Sequence, residues 1–254
     1  MNESMIDLAG QISKWIALNV HETGTKGAVV GLSGGVDSAV TATLCTKALG
    51  TNVLGVIMPC KSDPQDEEDT LLITTKLGIT TLTVRLDEAH QALVAGLSDG
   101  TRMAKANLKA RLRMTTLYFL ANTLSYLVVG TGNKTELMVG YFTKYGDGGV
   151  DILPLGGLYK TQVWELARTL NIPERIISKK PTAGMWPGQT DEEELGISYA
   201  ELDRTLQAIN ARNTEGIPEE TIQRVWSWVE ASMHKRRPAP VFLAVSNPSS
   251  YPYE

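Results

Sequence analysis

Gly27-Ala28-Val29-Val30-Gly31-Leu32-Ser33-Gly34-Gly35-Val36-Asp37-Ser38 changes character halfway along. Its first six residues read as a short buried strand, the run stops at Ser33-Gly34-Gly35, and a helical pattern over 38–49 follows. Glycines at such a corner let backbone N–H groups approach an anion, and the helix N-terminus adds partial positive charge. Ser33 and Ser38 supply hydroxyl donors, so the corner suits phosphate oxygens. Asp37 is the odd member, because a carboxylate repels phosphate. It makes sense if it carries a magnesium ion, Mg²⁺, that bridges to the phosphates. The bland alternative is a helix start with Gly for the turn and Ser or Asp as cap. Placement directly after the first buried strand favours the phosphate reading. Two common loops are excluded: no Lys precedes Ser38 as a Walker A motif requires, and G-x-G-x-x-G is missing after this strand.

Outward from that corner, helices and strands alternate. Apolar residues at Met5, Leu8, Ile12, Trp15 and Ile16 predict a helix over 5–20. A second apolar strand is expected at 52–58, an acidic helix at 65–76, and a third strand at 79–86, where Thr alternates with apolar residues. Helices at 88–97 and 103–123 lead to a fourth strand at 126–130. This rhythm implies a doubly wound α/β fold, a parallel sheet with helices on both faces and right-handed crossovers. Beyond Gly130, Gly and Pro punctuate 140–157 and 181–196, while 159–170, 198–211 and 218–234 read as helices. Loops of such length are usually functional or mobile. The tail from Pro238 reads as a wrapped segment, and residues 1–254 are expected to form a single domain.

Composition narrows the function classes. A net charge of −4 gives no electrostatic reason to expect nucleic acid. No basic n-region precedes an apolar run and no window of about 18 apolar residues occurs, so neither a signal peptide nor a membrane span is expected. The expected address is cytoplasmic. The two cysteines, Cys45 and Cys60, lack metal-ligand spacing. Cys45 reads as a small buried hydrophobe, and Cys60 follows a strand beside the phosphate loop.

Further motifs follow in order. Asn107-Leu108-Lys109-Ala110-Arg111-Leu112-Arg113-Met114 lies on the long helix, with Arg111 and Arg113 on different faces. Gly130-Thr131-Gly132-Asn133-Lys134-Thr135-Glu136 follows the fourth strand, and Tyr141-Phe142-Thr143-Lys144-Tyr145-Gly146-Asp147-Gly148-Gly149-Val150-Asp151-Ile152 comes next. Then come Pro154-Leu155-Gly156-Gly157-Leu158-Tyr159-Lys160, Pro181-Thr182-Ala183-Gly184-Met185-Trp186-Pro187-Gly188-Gln189-Thr190-Asp191-Glu192 and His234-Lys235-Arg236.

The phosphate loop resembles that of the ATP pyrophosphatases, a group that includes GMP, asparagine and NAD synthetases. With the six later motifs in order, the resemblance is to NAD synthetase and covers nearly the whole chain. It implies an adenine nucleotide alpha hydrolase-like fold and an enzyme that amidates nicotinic acid adenine dinucleotide (deamido-NAD). ATP adenylates the carboxylate, pyrophosphate leaves as a unit, and ammonia displaces AMP. Residue by residue, it implies that Gly31, Leu32, Ser33, Gly34, Gly35, Val36, Asp37 and Ser38 take the ATP phosphates. Thr131, Lys160 and Thr182 match ATP-contacting positions, and Asp37 and Glu136 match magnesium carboxylates. Arg111, Lys144, Asp151, His234 and Lys235 match positions that hold deamido-NAD. Asp147 is read as the carboxylate that orients ammonium and accepts its proton. The resemblance also implies a homodimer with substrate at the shared interface. Glutamine-using members carry a large nitrilase-type domain for which 254 residues leave no room, so free ammonia is the expected nitrogen source.

Each of these residues also has a bland reading. Glu136 would serve as the acid of a capping box with Asn133. Lys160 would be a solvated lysine at a helix start, and His234-Lys235-Arg236 a basic helix C-terminus. Trp186 reads as a loop anchor, and Asp66, Glu67, Glu68 and Asp69 as a solvated helix N-terminus. Two rival functions stand beside the synthetase: an ATP-sensing module without chemistry, and another ATP pyrophosphatase such as a sulfurtransferase. The latter usually shows paired cysteines or a basic face, and neither is visible.

Overall fold

Strands that are buried on both faces explain the uninterrupted apolar runs. The computed structural model describes residues 3–97, 99–186 and 188–242. Its first half runs α1 (Glu3–Glu22), β1 (Ala28–Leu32), α2 (Val36–Leu49), β2 (Val53–Ile57), α3 (Pro64–Leu77), β3 (Thr80–Thr83), α4 (Asp87–Gly96), α5 (Arg102–Leu124) and β4 (Leu127–Val129). The second half is helical: α6 (Lys134–Val139), α7 (Lys160–Thr169), α8 (Glu174–Ile177), α9 (Asp191–Leu195), α10 (Tyr199–Ala211), α11 (Glu219–Ala231) and α12 (Met233–Arg236).

The strands form one parallel sheet in the order β3-β2-β1-β4. Ile152 adds a parallel bridge to Val129 at the β4 edge. One face of the sheet carries Ile16 of α1, Val40 and Leu44 of α2, and Val163 and Leu166 of α7 in a shared core. The other buries Val29, Val56 and Val128 against Leu117 and Ala121 of α5. Helices therefore cover both sides, as expected. A third apolar cluster joins α6, α10 and α11 through Val139, Leu202, Leu206 and Val225. Each such fully buried aliphatic side chain contributes about 1.5–3 kcal/mol. This satellite core fixes the helices that stand over the carboxyl ends of the strands.

Three expectations need correction. The third strand is shorter than 79–86, and all four of its residues are exposed, because β3 is the sheet edge. The expected helix over 218–234 breaks at Ser232, whose hydroxyl turns back to donate to Trp228 O at 2.7 Å. There Ser232 packs so closely on Gly140 that a Cβ on the glycine would lie 2.0 Å from the serine Cβ. The acidic run of α3 is not simply solvated either. Asp69 is 1% exposed, accepting from Lys179 Nζ at 2.6 Å and Arg175 Nε at 2.8 Å, while Asp66 accepts from Lys179 at 2.7 Å. The tail reading lies mostly outside the described residues, which end at 242.

Candidate active site

Between β1 and β4 the chain's direction across the sheet reverses, so the loops leaving these two strands part and open a crevice. The first is the phosphate loop. Gly34 adopts φ +74°, and a Cβ there would lie 2.5 Å from Asp66 O, so the loop can pack against the start of α3 only as glycine. Ser38 Oγ donates to Gly35 O at 2.9 Å and accepts from Ser33 N–H at 3.3 Å, pinning the corner from inside. Its hydroxyl therefore braces the loop.

A cavity of about 580 Å³ opens at this crevice. Gly31, Leu32, Ser33, Gly35, Val36, Asp37 and Ser38 line it, as do Thr131, Glu136, Asp147, Lys160, Thr182 and Lys235. Gly34 faces away, toward α3.

Asp37 on the first turn of α2 and Glu136 on the first turn of α6 converge on Lys160, the first residue of α7. Lys160 is 2% exposed, with Nζ 2.5 Å from Asp37 Oδ2 and 3.5 Å from Glu136 Oε1. The solvated reading of Lys160 is therefore excluded. For Glu136 the capping-box reading holds, and it leaves one carboxylate oxygen facing the site. Its Oε2 accepts from Asn133 N–H at 3.2 Å in a capping box, while Oε1 faces Lys160. Buried Asn133 joins the two acids, donating from Nδ2 to Asp37 Oδ1 at 3.0 Å and accepting the Glu136 N–H at 3.0 Å. Behind them, Asp203 of α10 fixes the start of α7, accepting from Thr135 Oγ1 at 2.5 Å and from Thr161 N–H at 2.8 Å.

Burial and the neighbouring Asp37 raise the Glu136 carboxyl far above its ordinary value. Burial works against the Lys160 ammonium, but Asp37 and Glu136 hold it charged, above the usual lysine range. A third acid, Asp191, is 3% exposed and raised by burial, with Lys160 opposing. Its Oδ2 accepts from Tyr199 OH at 2.9 Å, and its Oδ1 has no hydrogen bond among the described residues, the nearby Tyr141 hydroxyl donating instead to Glu194 at 2.8 Å. Fully ionised, the three carboxylates and the ammonium would carry two net negative charges, and a divalent cation held there would favour that form against the burial that raises Glu136 and Asp191. Among the described residues no three His, Cys, Asp or Glu side chains form a ready metal cage. Magnesium does not need one, since it is usually held by one or two carboxylates plus phosphates and water. The donor set fits that ion.

Residues 181–185 and Gln189 of the Gly/Pro-rich segment roof the cavity. Lys109 of α5 donates to Met185 O at 2.9 Å, and the Arg102 guanidinium lies 4.2 Å over the Trp186 ring. Trp186 is thus an anchor of the roof. Asp147 accepts the Thr143 N–H at 2.9 Å. Protein packed around it raises its carboxyl, opposed by Thr143 and Lys235, while solvent in the cavity mouth still reaches and screens it.

The residues matched to deamido-NAD divide. Lys235 lines the cavity and donates to Gly140 O at 2.7 Å and Phe142 O at 2.9 Å. Arg236 donates to Leu137 O and Met138 O of α6 and to Val229 O of α11 at 2.7 Å, so this basic cluster caps the C-terminus of α6 as well as that of α11. Arg111, Lys144, Asp151 and His234 do not line the cavity. Arg111 donates to Lys144 O at 3.3 Å and Lys144 Nζ to His234 O at 2.7 Å, which gathers these three on one rim. Asp151 accepts from Tyr118 OH and Val128 N–H, at the sheet edge.

Sequence reasoning missed several members. Arg113, on the opposite face of α5 from Arg111, reaches the cavity and donates to Met58 O at 3.1 Å. Asp191 and Tyr199 also went unassigned, although Asp191 stands inside a quoted motif, and Asn133 was read only as a cap, without its contact to Asp37. Cys60 is fully buried, and that burial raises its thiol.

The fold and site define a nucleotide-binding α/β enzyme, with its phosphate loop at the switch point of a parallel sheet. The chain belongs to the NAD synthase family, whose model matches residues 8–239. It is 54% identical to an NH(3)-dependent NAD(+) synthetase of Carboxydothermus hydrogenoformans, over 77% of this chain and 83% of that one. It is 51% identical to one of Archaeoglobus fulgidus, over 87% and 90%. Among solved structures, an NMN synthetase from Francisella tularensis superposes with a TM-score of 0.88 at 37% identity, covering 93% of this chain and 98% of that one. An NH3-dependent NAD synthetase from Campylobacter jejuni superposes at 0.84 with 28% identity, covering 94% and 99%.

Proposed function

We propose that this protein is an ammonia-dependent NAD synthetase, a carbon–nitrogen ligase that uses ATP to amidate deamido-NAD and releases AMP and pyrophosphate. The observation that carries the reading is the meeting of Asp37, Glu136 and Lys160 at the mouth of the phosphate loop. A module that only sensed ATP would have no use for so costly a buried charge cluster.

A carboxylate resists ammonia because oxide and hydroxide are poor leaving groups. Adenylation installs AMP as a good one. The phosphate loop and Thr131 hold the triphosphate, and Thr182 approaches it from the roof. Lys160 neutralises charge that builds on the α-phosphoryl group as the substrate carboxylate attacks in line. Asp37 and Glu136 would hold magnesium, which supplies charge neutralisation and geometry to the departing pyrophosphate. Asp147 orients ammonium and accepts its proton before nitrogen attacks the acyl carbon. The roof at 181–185 keeps water from the acyl-adenylate.

We place free ammonia as nitrogen source, a homodimer as working unit, and the enzyme in the cytoplasm. An exposed stripe on α5, with Arg111, Thr115 and 70%-exposed Phe119, supports a subunit contact. No helix among the described residues is long and apolar enough to cross a membrane.

The deciding assay combines ATP, magnesium, deamido-NAD and ammonium. We expect NAD, AMP and pyrophosphate in equal amounts, and none with glutamine freed of ammonia. Formation of ADP and phosphate, or equal rates with purified glutamine, would overturn the reading. The likeness to an NMN synthetase makes nicotinic acid mononucleotide the competitor to include, and its kcat/KM is expected to be lower.

A further inference from the structure

Lys160 occupies the place where a cation between Asp37 and Glu136 would sit. Resting on the metal reading above, an arriving divalent ion must displace that ammonium from the same carboxylate oxygens. The backbone cannot carry it away, because Lys160 N–H is held by Thr135 Oγ1 at 3.0 Å and the next N–H by Asp203. Its side chain is buried and cannot simply turn into water. A displaced buried ammonium needs a counter-charge within its own reach.

One is prepared. Asp191 is buried with Oδ1 free of hydrogen bonds among the described residues, and it lines the same cavity. Tyr199 contacts both Lys160 and Asp191. Its ring lies 5.1 Å from Lys160 Nζ, and its hydroxyl holds Asp191 Oδ2. Asp191 N–H also donates to Pro181 O at 3.0 Å, closing the base of the roof that carries Thr182. We propose that Asp191 is a positioning residue for Lys160, receiving its ammonium when magnesium takes Asp37 and Glu136 and presenting it to the cavity. Lys160 then holds the place of the cation between the two acids, and metal entry itself turns its ammonium toward the cavity.

The test is metal binding to the full chain, with Mn²⁺ as a paramagnetic probe and free Mn²⁺ read by electron paramagnetic resonance. Wild type, Asp191→Asn, Lys160→Met and the double variant form a cycle. Lys160→Met removes the place-holder and should tighten Mn²⁺ binding. Asp191→Asn should weaken it about 10-fold in the wild-type background and less than about 2-fold beside Lys160→Met. Equal loss in both backgrounds overturns the proposal, because Asp191 would then act on the metal by charge alone. Loss in neither overturns it too. Absence of any Mn²⁺ site in wild type would instead overturn the metal reading, and this inference with it. Should Asp191→Asn fail to fold, Asp191→Ala, which also removes the receiving carboxylate, enters the same cycle with the same expected pattern.

Discussion

Asn133 touches both candidate metal acids, so its single buried amide sets their spacing before any ligand arrives. That matters because two carboxylates otherwise repel, and Glu136 already pays in a raised carboxyl. Substituting Asp37→Asn or Glu136→Gln keeps shape and removes a charge. Gln at position 136 can still complete the capping box, so the fold should survive. We expect each variant to lose about 10²–10³-fold in pyrophosphate release. Wild-type release with unchanged magnesium dependence, in a variant whose melting curve is intact, would remove that residue from the metal site. Asp147 makes a different case. Asp147→Asn keeps an acceptor for the Thr143 N–H but cannot take a proton. Its kcat/KM for ammonium should fall about 10²-fold while KM for ATP stays put. Equal damage to both would make Asp147 a brace of the loop. At this scale the sequence spoke through motifs: Asp37 stands out as an acid in an anion-binding loop. Asp191 did not, because its meaning depends on Tyr199 and Lys160, which the fold alone brings beside it.

Helices and strands were legible where burial is uniform. β1 and β2 carry only apolar side chains, with one glycine each, because both faces are covered. The break at Ser232 was not legible, since it comes from close packing on Gly140, far away in the chain. Nor was the acidic start of α3, because Lys179 lies 110 residues from Asp69. Acids at a helix N-terminus are favourable in any protein, so the pattern carries no sign of a partner. Those ion pairs tie α3, and through Asp66 O the back of Gly34, to the segment that leads into the roof. Asp69→Asn should therefore loosen both the phosphate loop and the roof. Losing one partner of a fully buried pair costs about 3–5 kcal/mol. Arg175 remains half in water, so we expect about 2 kcal/mol here. Chemical denaturation measures it. A loss under about 0.5 kcal/mol would return the cluster to the solvated reading.

The site as a whole is split between an inside and an outside. The residues matched to ATP, Gly34 excepted, share one cavity with Lys235, whereas Arg111, Lys144, Asp151 and His234 stand on the outer surface near the exposed stripe of α5. Deamido-NAD has two nucleotide halves, and one cavity of about 580 Å³ must also take ATP. A second copy docked on α5 would bring its own outer residues to the first copy's cavity and complete the substrate site. Complementation tests this, provided the pair is chosen across the split. Lys235 is unsuitable because it shares a cavity with Asp37, but Arg111 is suitable. Mixed dimers of Asp37→Asn with Arg111→Ala contain one site damaged twice and one intact, if the two residues serve different chains' sites. Each heterodimer should then regain about half the activity of a wild-type dimer. Mixing must follow reversible dissociation, and each parent dimer must be inactive under the assay conditions. A heterodimer confirmed by differential tags yet as inactive as its parents would put Arg111 and Asp37 in the same chain's site. Arg111 would then have to reach the cavity from the rim of its own subunit, and the dimer would have no share in binding the substrate.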